Sequence, residues 1–412
     1  MDVILERCAG LDVHQATVIA CIRQPGPTRE RAQVLHPFAT TTPALLTLRD
    51  WLLAQGVTHV AMESTGVYWK PVYYALEDAF EVLLVNATHL AKVPGRKTDV
   101  QDCVWIAPRL ECGLLRGSFV PPPPIRELRD LTRARKTLIQ DRTREVNRLH
   151  KILEDAGLKL ASVATDVLGA SGRARLTALV AGTTDPAVLA ELARGRLRAK
   201  RPALRQALTG RVRPHHAFLL SQLLAHLDAL DETLATLSQA IEEHLAPFAE
   251  PAARLQTIPG GTQRTMEAIV AEIGVDMRPF PTAGQLASWA GLCPGNNASA
   301  GKRRRGRTRK GDRWLKAALV EASLAAIRVK GSRLGALYRR ICRHAGHNVA
   351  IVAVAHAILE IAWHLLSQAT TYRELGADYF DRRNKDQTTR RHVRFLESLG
   401  YRVTLESVPA AA

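Results

Sequence analysis

Gly10-Leu11-Asp12-Val13-His14 places an acid inside an apolar stretch near the start of the chain. Leu11 and Val13, followed by Thr17 to Ile22, read as paired strands. A carboxylate in such a strand is costly unless it is solvated or bound to something. Outward from this stretch, His59 to Met62 is a short apolar strand ending at Glu63, where the chain turns through Ser64-Thr65-Gly66. Glu81 to Val85 is another strand, and a helix is expected from about Thr98. Strands followed by alternating strand and helix indicate an α/β layer structure.

Two acids, Asp12 and Glu63, thus fall at strand positions. Two more, Asp99 and Asp102, are spaced i, i+3 and project to one side of a helix. Carboxylate oxygens suit Mg²⁺, and two such ions stabilise the attacking and leaving oxygens of an in-line displacement at phosphorus. Each acid also has a plainer reading. Asp99 and Asp102 suit the positive end of a helix dipole, and Glu63 suits an exposed strand end. His14 shares the strand face of Asp12. It either orients phosphate or metal-bound water, or packs as an ordinary strand histidine.

The chain has 412 residues, 57 Lys/Arg against 39 Asp/Glu, and 46% hydrophobic residues. That apolar content builds real cores and excludes a disordered chain. The charge is unevenly placed: residues 1–118 carry 11 Lys/Arg and 12 Asp/Glu, so the surplus lies wholly beyond them. An anionic partner is implied, and phosphate is the natural one. The six cysteines form no Cys-x-x-Cys pair, which argues against a zinc ribbon. No signal peptide precedes Asp2, and a cytoplasmic chain with reduced thiols is expected. Asn348 to Leu366 is apolar but interrupted by His356, Glu360 and His364; it is expected to be too short and too polar to span a bilayer, so it reads as a buried helix and no membrane is expected.

Pro121-Pro122-Pro123-Pro124 marks a boundary and reads as a stiff spacer. A long helix is expected over Arg126 to Ala156 and another from about Ala217 to Leu245. In the second, Leu220, Leu227, Leu234 and Ile241 recur every seven residues, with Leu223, Leu230 and Leu237 as a second seam. This heptad pattern predicts a coiled-coil arm or dimer contact, the alternative being a helix buried in its own domain. Ile258-Pro259-Gly260-Gly261, followed by a helical run from Thr265 to Ile273, resembles a helix-hairpin-helix. There the amides of Gly260 and Gly261 face a phosphate, although Pro-Gly-Gly is also an ordinary turn.

Gly291-Leu292-Cys293-Pro294-Gly295-Asn296-Asn297-Ala298-Ser299-Ala300-Gly301 runs directly into a basic segment. From Lys302 to Arg313, eight of twelve residues are Lys or Arg, among them Arg303, Arg304, Arg305, Arg307, Arg309 and Lys310. A serine hydroxyl beside such cations can attack a phosphodiester while guanidinium groups stabilise the transferring phosphate. The alternative is a nucleic-acid-binding loop with an incidental serine.

The stretches Gly10-Leu11-Asp12-Val13-His14, Met62-Glu63-Ser64-Thr65-Gly66 and Lys97-Thr98-Asp99-Val100-Gln101-Asp102 resemble the motifs of the DEDD transposases of insertion sequences. That is the insertion sequence one-ten family, the bridge-RNA-guided recombinases. The resemblance spans about Val3 to Tyr379. It implies an α/β first domain of RuvC-type, RNase H-like fold, with Asp12, Glu63, Asp99 and Asp102 holding Mg²⁺ or Mn²⁺. It also implies a mainly helical second domain in which Ser299 is the nucleophile and forms a phosphoserine link. The expected partners are donor and target DNA, a structured guide RNA, and further copies of the chain as a dimer or tetramer. The expected setting is the bacterial nucleoid. Two departures from the family pattern are Pro108 inside the expected acidic helix and Ala298 where relatives carry an acid before the serine.

The resulting division is 1–118 for the metal-binding domain, 119–250 for the proline linker and helical arm, 251–370 for the serine-bearing domain, and 371–412 for a tail. Two rival functions stand beside it. One is a RuvC-like metal-dependent nuclease or junction resolvase without serine chemistry, and the other is a binding protein without activity. Cys342, His344 and His347 fit no strong zinc spacing. His215-His216 reads as a helix start. Ser288, Ser332 and Tyr338 are weaker candidates for a nucleophile.

Overall fold

Alternation of apolar residues gives the first unit its layers. Strands β1 (Cys8–Val13), β2 (Thr17–Pro25) and β3 (Arg31–Ala39) form an antiparallel set. Helix α1 (Thr42–Ala54), strand β4 (His59–Glu63), helix α2 (Trp69–Leu76) and strand β5 (Glu81–Val85) follow. β4 runs parallel to β1 and β5 parallel to β4, giving a five-stranded mixed sheet of order β3-β2-β1-β4-β5. Parallel neighbours need a crossover element, which α1 and α2 supply.

Period two sorts the side chains of β1. Ala9, Leu11 and Val13 join Leu45, Leu48, Leu52, Val72 and Leu76 in one core. Cys8 faces the other way and packs with Ala61, Val85, Ile106 and Leu110, the last two from helix α3 (Asp102–Glu111). α3 runs through Pro108 to Glu111, so the proline does not end it. The expected start of this helix near Thr98, and Asp99 with it, lie outside the described residues.

In this computed structural model the described residues are 3–27, 30–64, 66–86, 102–295, 298–299, 302–303, 306, 308–383 and 385–406; for 298, 299, 302, 303, 387 and 388 the description is of the backbone alone. The chain divides into two compact units, Met1–Val120 and Pro121–Ala412.

The second unit is helical. Its first helix, α4 (Pro123–Asp155), starts inside the proline run, three residues before the expected Arg126. Proline fits a first turn, where its missing N–H has no partner to lose. Short helices α5 (Leu160–Val163), α6 (Ala170–Val180), α7 (Pro186–Glu191) and α8 (Arg201–Ala207) follow, with a 3₁₀ turn at Gly195–Lys200. The chain then returns as α9 (Pro214–Leu245).

α9 packs antiparallel on α4 along its length. His216 meets Asp155, Arg142 meets Asp231, and His244 approaches Glu127. Leu220, Leu227 and Ile241 of the heptad seam are fully buried. Leu220 and Leu227 share a core with Leu149 and Leu153 of α4 in the same chain, while Leu223, Leu234 and Leu237 are partly buried. Helices α10 (Ala249–Gln256), α11 (Gln263–Ile273) and α12 (Ala283–Trp289) lead to a short hairpin of β6 (Ala298–Ser299) and β7 (Lys302–Arg303). α13 (Arg313–Ala326), α14 (Arg333–Ala345) and α15 (His347–Gln368) come next, then α16 (Tyr379–Arg383) and α17 (Lys385–Ser398). α15 runs longer than its apolar core, and it is long and apolar enough to cross a membrane. It packs instead against α10, α12, α13 and α14, burying Ala350, Val354, Ile358 and Ala362.

Candidate active site

In the first unit, Asp12 and Glu63 stand at the C-terminal ends of neighbouring parallel strands. The register pairs Gly10 with Ala61 and Leu11 with Met62, so the two acids follow side by side. Gly10, Asp12, Ala61 and Glu63 share the sheet face that α3 covers. Gly10 allows that cover. A Cβ there would lie 2.5 Å from the Cys103 carbonyl oxygen and 2.7 Å from the Ala107 nitrogen, both helix backbone. The backbone of α3 therefore sits directly on β1. Its first residue reaches the acid, and the Asp102 N–H donates to Asp12 Oδ2 at 3.3 Å.

The other end of α3 is tied down electrostatically. Glu111, only 2% exposed, accepts from Arg31 Nε at 2.6 Å and from Arg23 Nη2 at 3.0 Å. A buried carboxylate needs such partners, since it loses its hydration on folding. These arginines belong to β2 and β3, so α3 is fixed at its far end and its N-terminus is aimed at Asp12.

Asp12 is 15% exposed, and His14 Nε2 lies 3.4 Å from its Oδ1. Half-buried carboxylates on one face make a hard oxygen donor set, which fits Mg²⁺ or Mn²⁺. Among the described residues the three acids do not close to within 4.8 Å of one another; the one triad that does is Asp155, His215 and His216 in the second unit. His216 is engaged there, accepting from the Arg213 N–H at Nδ1 and contacting Asp155 through Nε2 at 2.9 Å. His215-His216 lies at the start of α9, as expected for a helix start.

In the second unit, Ser299 ends β6 and pairs with Lys302 across the hairpin, with Ala298 opposite Arg303. Pro294 bridges Thr308 farther down. The base is clamped by two glycines. A Cβ on Gly311 would meet the Gly291 nitrogen at 2.3 Å, and one on Gly291 would meet the Arg309 carbonyl at 2.8 Å. Lys316 of α13 donates to Thr308 Oγ1 at 2.7 Å and to the Gly291 carbonyl at 3.4 Å. Asp312 caps α13 by accepting from the Trp314 and Leu315 amides, and also binds Arg133 of α4 at 3.0 Å. Arg133 makes a two-pronged contact with Glu272, which Arg129 joins at 3.2 Å. Burial pushes the Glu272 carboxyl up, to about 7, against the pull of these arginines. Sequence reasoning missed Gly10, Glu111, Arg133 and Lys316. The sole signal was glycine inside a strand, which marks close backbone approach.

The Pro259-Gly260-Gly261 turn lies between α10 and α11. Gly260 has φ +82° and packs on α13, where a Cβ would meet the Ala322 carbonyl at 2.4 Å. The Gly261 N–H donates to the Ile258 carbonyl at 2.8 Å within the turn. A cavity of about 350 Å³ opens beside it, lined by Gly260, Arg264, Arg133, Lys136 and Trp314 among others. Ser332 is 1% exposed and caps α14 by accepting from the Gly335 amide. Tyr338 shares a hydrogen bond with His347 at 2.9 Å.

The first unit is thus a mixed α/β sheet with helices, and the second is mainly helical. Residues 9–157 match a family described as "Transposase", and residues 252–339 match the "Transposase IS116/IS110/IS902 family". Together these matches span more than half of the chain, which belongs to this family and is a DNA transposase. A probable family 20 transposase of Pseudomonas aeruginosa is 28% identical over 88% of this chain and 94% of its own length. The transposase for insertion sequence element IS1111A of Coxiella burnetii is 25% identical over 76% of this chain and 79% of its own. An insertion element IS110 uncharacterized 43.6 kDa protein of Streptomyces coelicolor is 27% identical over 68% and 73%.

Proposed function

We propose that this transposase cuts and rejoins DNA through Ser299, assisted by the carboxylate site of the first unit, to move an insertion sequence. The observation that carries the reading is the seating of α3 on β1, with the Asp102 amide on the Asp12 carboxylate beside Glu63. The strand order β3-β2-β1-β4-β5 supports a RuvC-type, RNase H-like fold for this unit.

Asp12, Glu63, Asp99 and Asp102 are the residues that would hold Mg²⁺, which supplies charge neutralisation at the reacting phosphate. The Ser299 hydroxyl attacks phosphorus. Its Oγ–P bond forms as the bond from phosphorus to one strand oxygen breaks, and that oxygen leaves with a proton. Lys302, Arg303, Arg304, Arg305, Arg307, Arg309 and Lys310 offset the phosphate charge and hold the strands. The Gly260-Gly261 turn, expected to offer its amides to a phosphate, is left out of this contact, because the Gly261 N–H is held by the Ile258 carbonyl and Gly260 packs on α13. Donor DNA, target DNA and a structured guide RNA are the polyanions that the positive surplus serves. Acids and serine lie in separate units, so a site shared between copies in a dimer or tetramer is part of the proposal.

The test is to trap protein–DNA product on supercoiled DNA carrying the element ends, with flanking RNA and Mg²⁺, and to map the linked peptide. The reading requires the phosphodiester on Ser299. A link on another residue, or cut strands with no link, supports a metal-dependent nuclease instead.

A further inference from the structure

Between the two long helices, residues 157–213 fold as a small helical head capping the end of the pair. Leu158, Leu160, Val167, Leu176, Leu189, Leu204 and Leu208 share a core with Leu149, Leu153, Leu220 and Leu224 of α4 and α9. The head lies in the interval between the two family-matched regions. It carries 11 Lys/Arg against three Asp/Glu, and no Phe, Trp, Tyr or His.

Some of these cations are committed. Arg173 binds Asp228, Arg201 binds Glu191 at 3.0 Å, and Lys159 binds Glu154. Arg175 is fully buried and adds nothing to the surface. Arg194, Arg196, Arg198, Lys200 and Arg205 are exposed, fall within twelve positions, and pair with no carboxylate among the described residues. A cleft of about 590 Å³ opens into this patch, lined by Ser171, Arg194, Arg196 and Lys200. Asp166 also lines it, with its carboxylate accepting from the Leu168 N–H.

We infer that the head is a second nucleic-acid contact, gripping a paired stretch through its phosphates. Five like charges held together are costly unless an anion is bound, and phosphates spaced along a strand supply one. The lack of aromatic rings argues against unpaired bases, which are held by stacking. The exposed cations are all Arg or Lys, the residues that most often contact the backbone phosphates. Along α4, Asp155 lies 22 residues beyond Arg133, or about 30 Å at 1.5 Å per residue. The head therefore holds a duplex about one helical turn along α4 from Arg133, the residue that contacts Asp312. This goes beyond the serine chemistry and stands without it.

The test measures binding of the full chain to a 20-base-pair DNA duplex, the matching RNA duplex and a single strand, across a KCl series. Replacing Arg194, Arg196, Arg198 and Lys200 together by Ala should weaken one duplex at least tenfold. It should also reduce the slope of log K against log [KCl] by about 2 to 4, since each phosphate contact contributes about 0.9. Whichever duplex responds names the source. A milder variant, Arg196→Gln with Arg198→Gln, keeps the fold and should reduce the slope by about 1 to 2. Unchanged slopes in both variants overturn the inference, as does an equal loss for the single strand. Serine-dependent cleavage failing for other reasons would leave these slopes unaffected.

Discussion

The Asp102 backbone amide donates to the Asp12 carboxylate at 3.3 Å, although 90 positions separate the two residues. Gly10, two residues before Asp12, makes the approach possible by leaving no Cβ beneath α3. A Gly10→Ala chain should therefore lose its carboxylate alignment. The added methyl meets helix backbone at 2.5 and 2.7 Å, and neither atom can swing aside. Overpacking of this kind costs about 1–3 kcal/mol. The expected result is a lowered melting temperature with strand cleavage reduced at least 100-fold; normal cleavage would show that α3 does not position the site.

Glu111 holds the far end of α3 through Arg23 and Arg31. Removing one partner of a buried ion cluster costs about 3–5 kcal/mol because unpaired charge remains. Glu111→Ala should unfold the first unit at lower denaturant, read as an earlier transition in urea. An unchanged midpoint would mean that the apolar contacts of Ile106 and Leu110 suffice.

Three thiols report on the same layer. Burial pushes Cys8 and Cys103 up to about 12 and Cys21 up to about 11, each from 9. The fold keeps protons on these groups that the unfolded chain releases above pH 9. Their effect on stability is therefore flat below pH 9, and stability falls as pH rises from there toward 12. Native protein at pH 8 should leave these three unlabelled by a thiol reagent, while partly exposed Cys112, Cys293 and Cys342 react. Labelling of Cys103 at the rate of Cys112 would contradict the packing of α3 on the sheet.

Lys316 ties the base of the serine hairpin to α13. Lys316→Met keeps the helix and removes both hydrogen bonds. Trypsin should then cut within 302–310 several times faster, and cleavage activity should fall about tenfold or more, because misplacement of about 1 Å is costly in a reaction governed by positioning. Equal proteolysis rates would show that the glycine clamp at Gly291 and Gly311 holds the hairpin alone.

Much of the sheet was legible because period-two alternation shows locally: Leu11 and Val13 flank Asp12, and Val60 to Met62 lead to Glu63. The role of Gly10 was not, because its partner helix lies about ninety residues away and glycine in a strand says only that something approaches. The heptad leucines of α9 announced a partner without naming it. α4 hides its own seam among arginines, since Arg135 and Glu145 are buried beside Leu128 and Leu149. The hairpin at Ser299 was read as a basic loop, because pairing Gly291 with Gly311 is a long-range fact that local composition does not contain. The proline run was read as a spacer, yet its last residues form the first turn of α4, where proline is at home.

The most direct test compares wild type with Ser299→Ala and Asp12→Ala in cleavage of supercoiled DNA carrying the element ends, with flanking RNA and Mg²⁺. The account predicts covalent protein–DNA product for wild type and its loss in both variants. Strand cutting that survives Ser299→Ala but not Asp12→Ala would contradict the serine role and leave a metal-dependent nuclease.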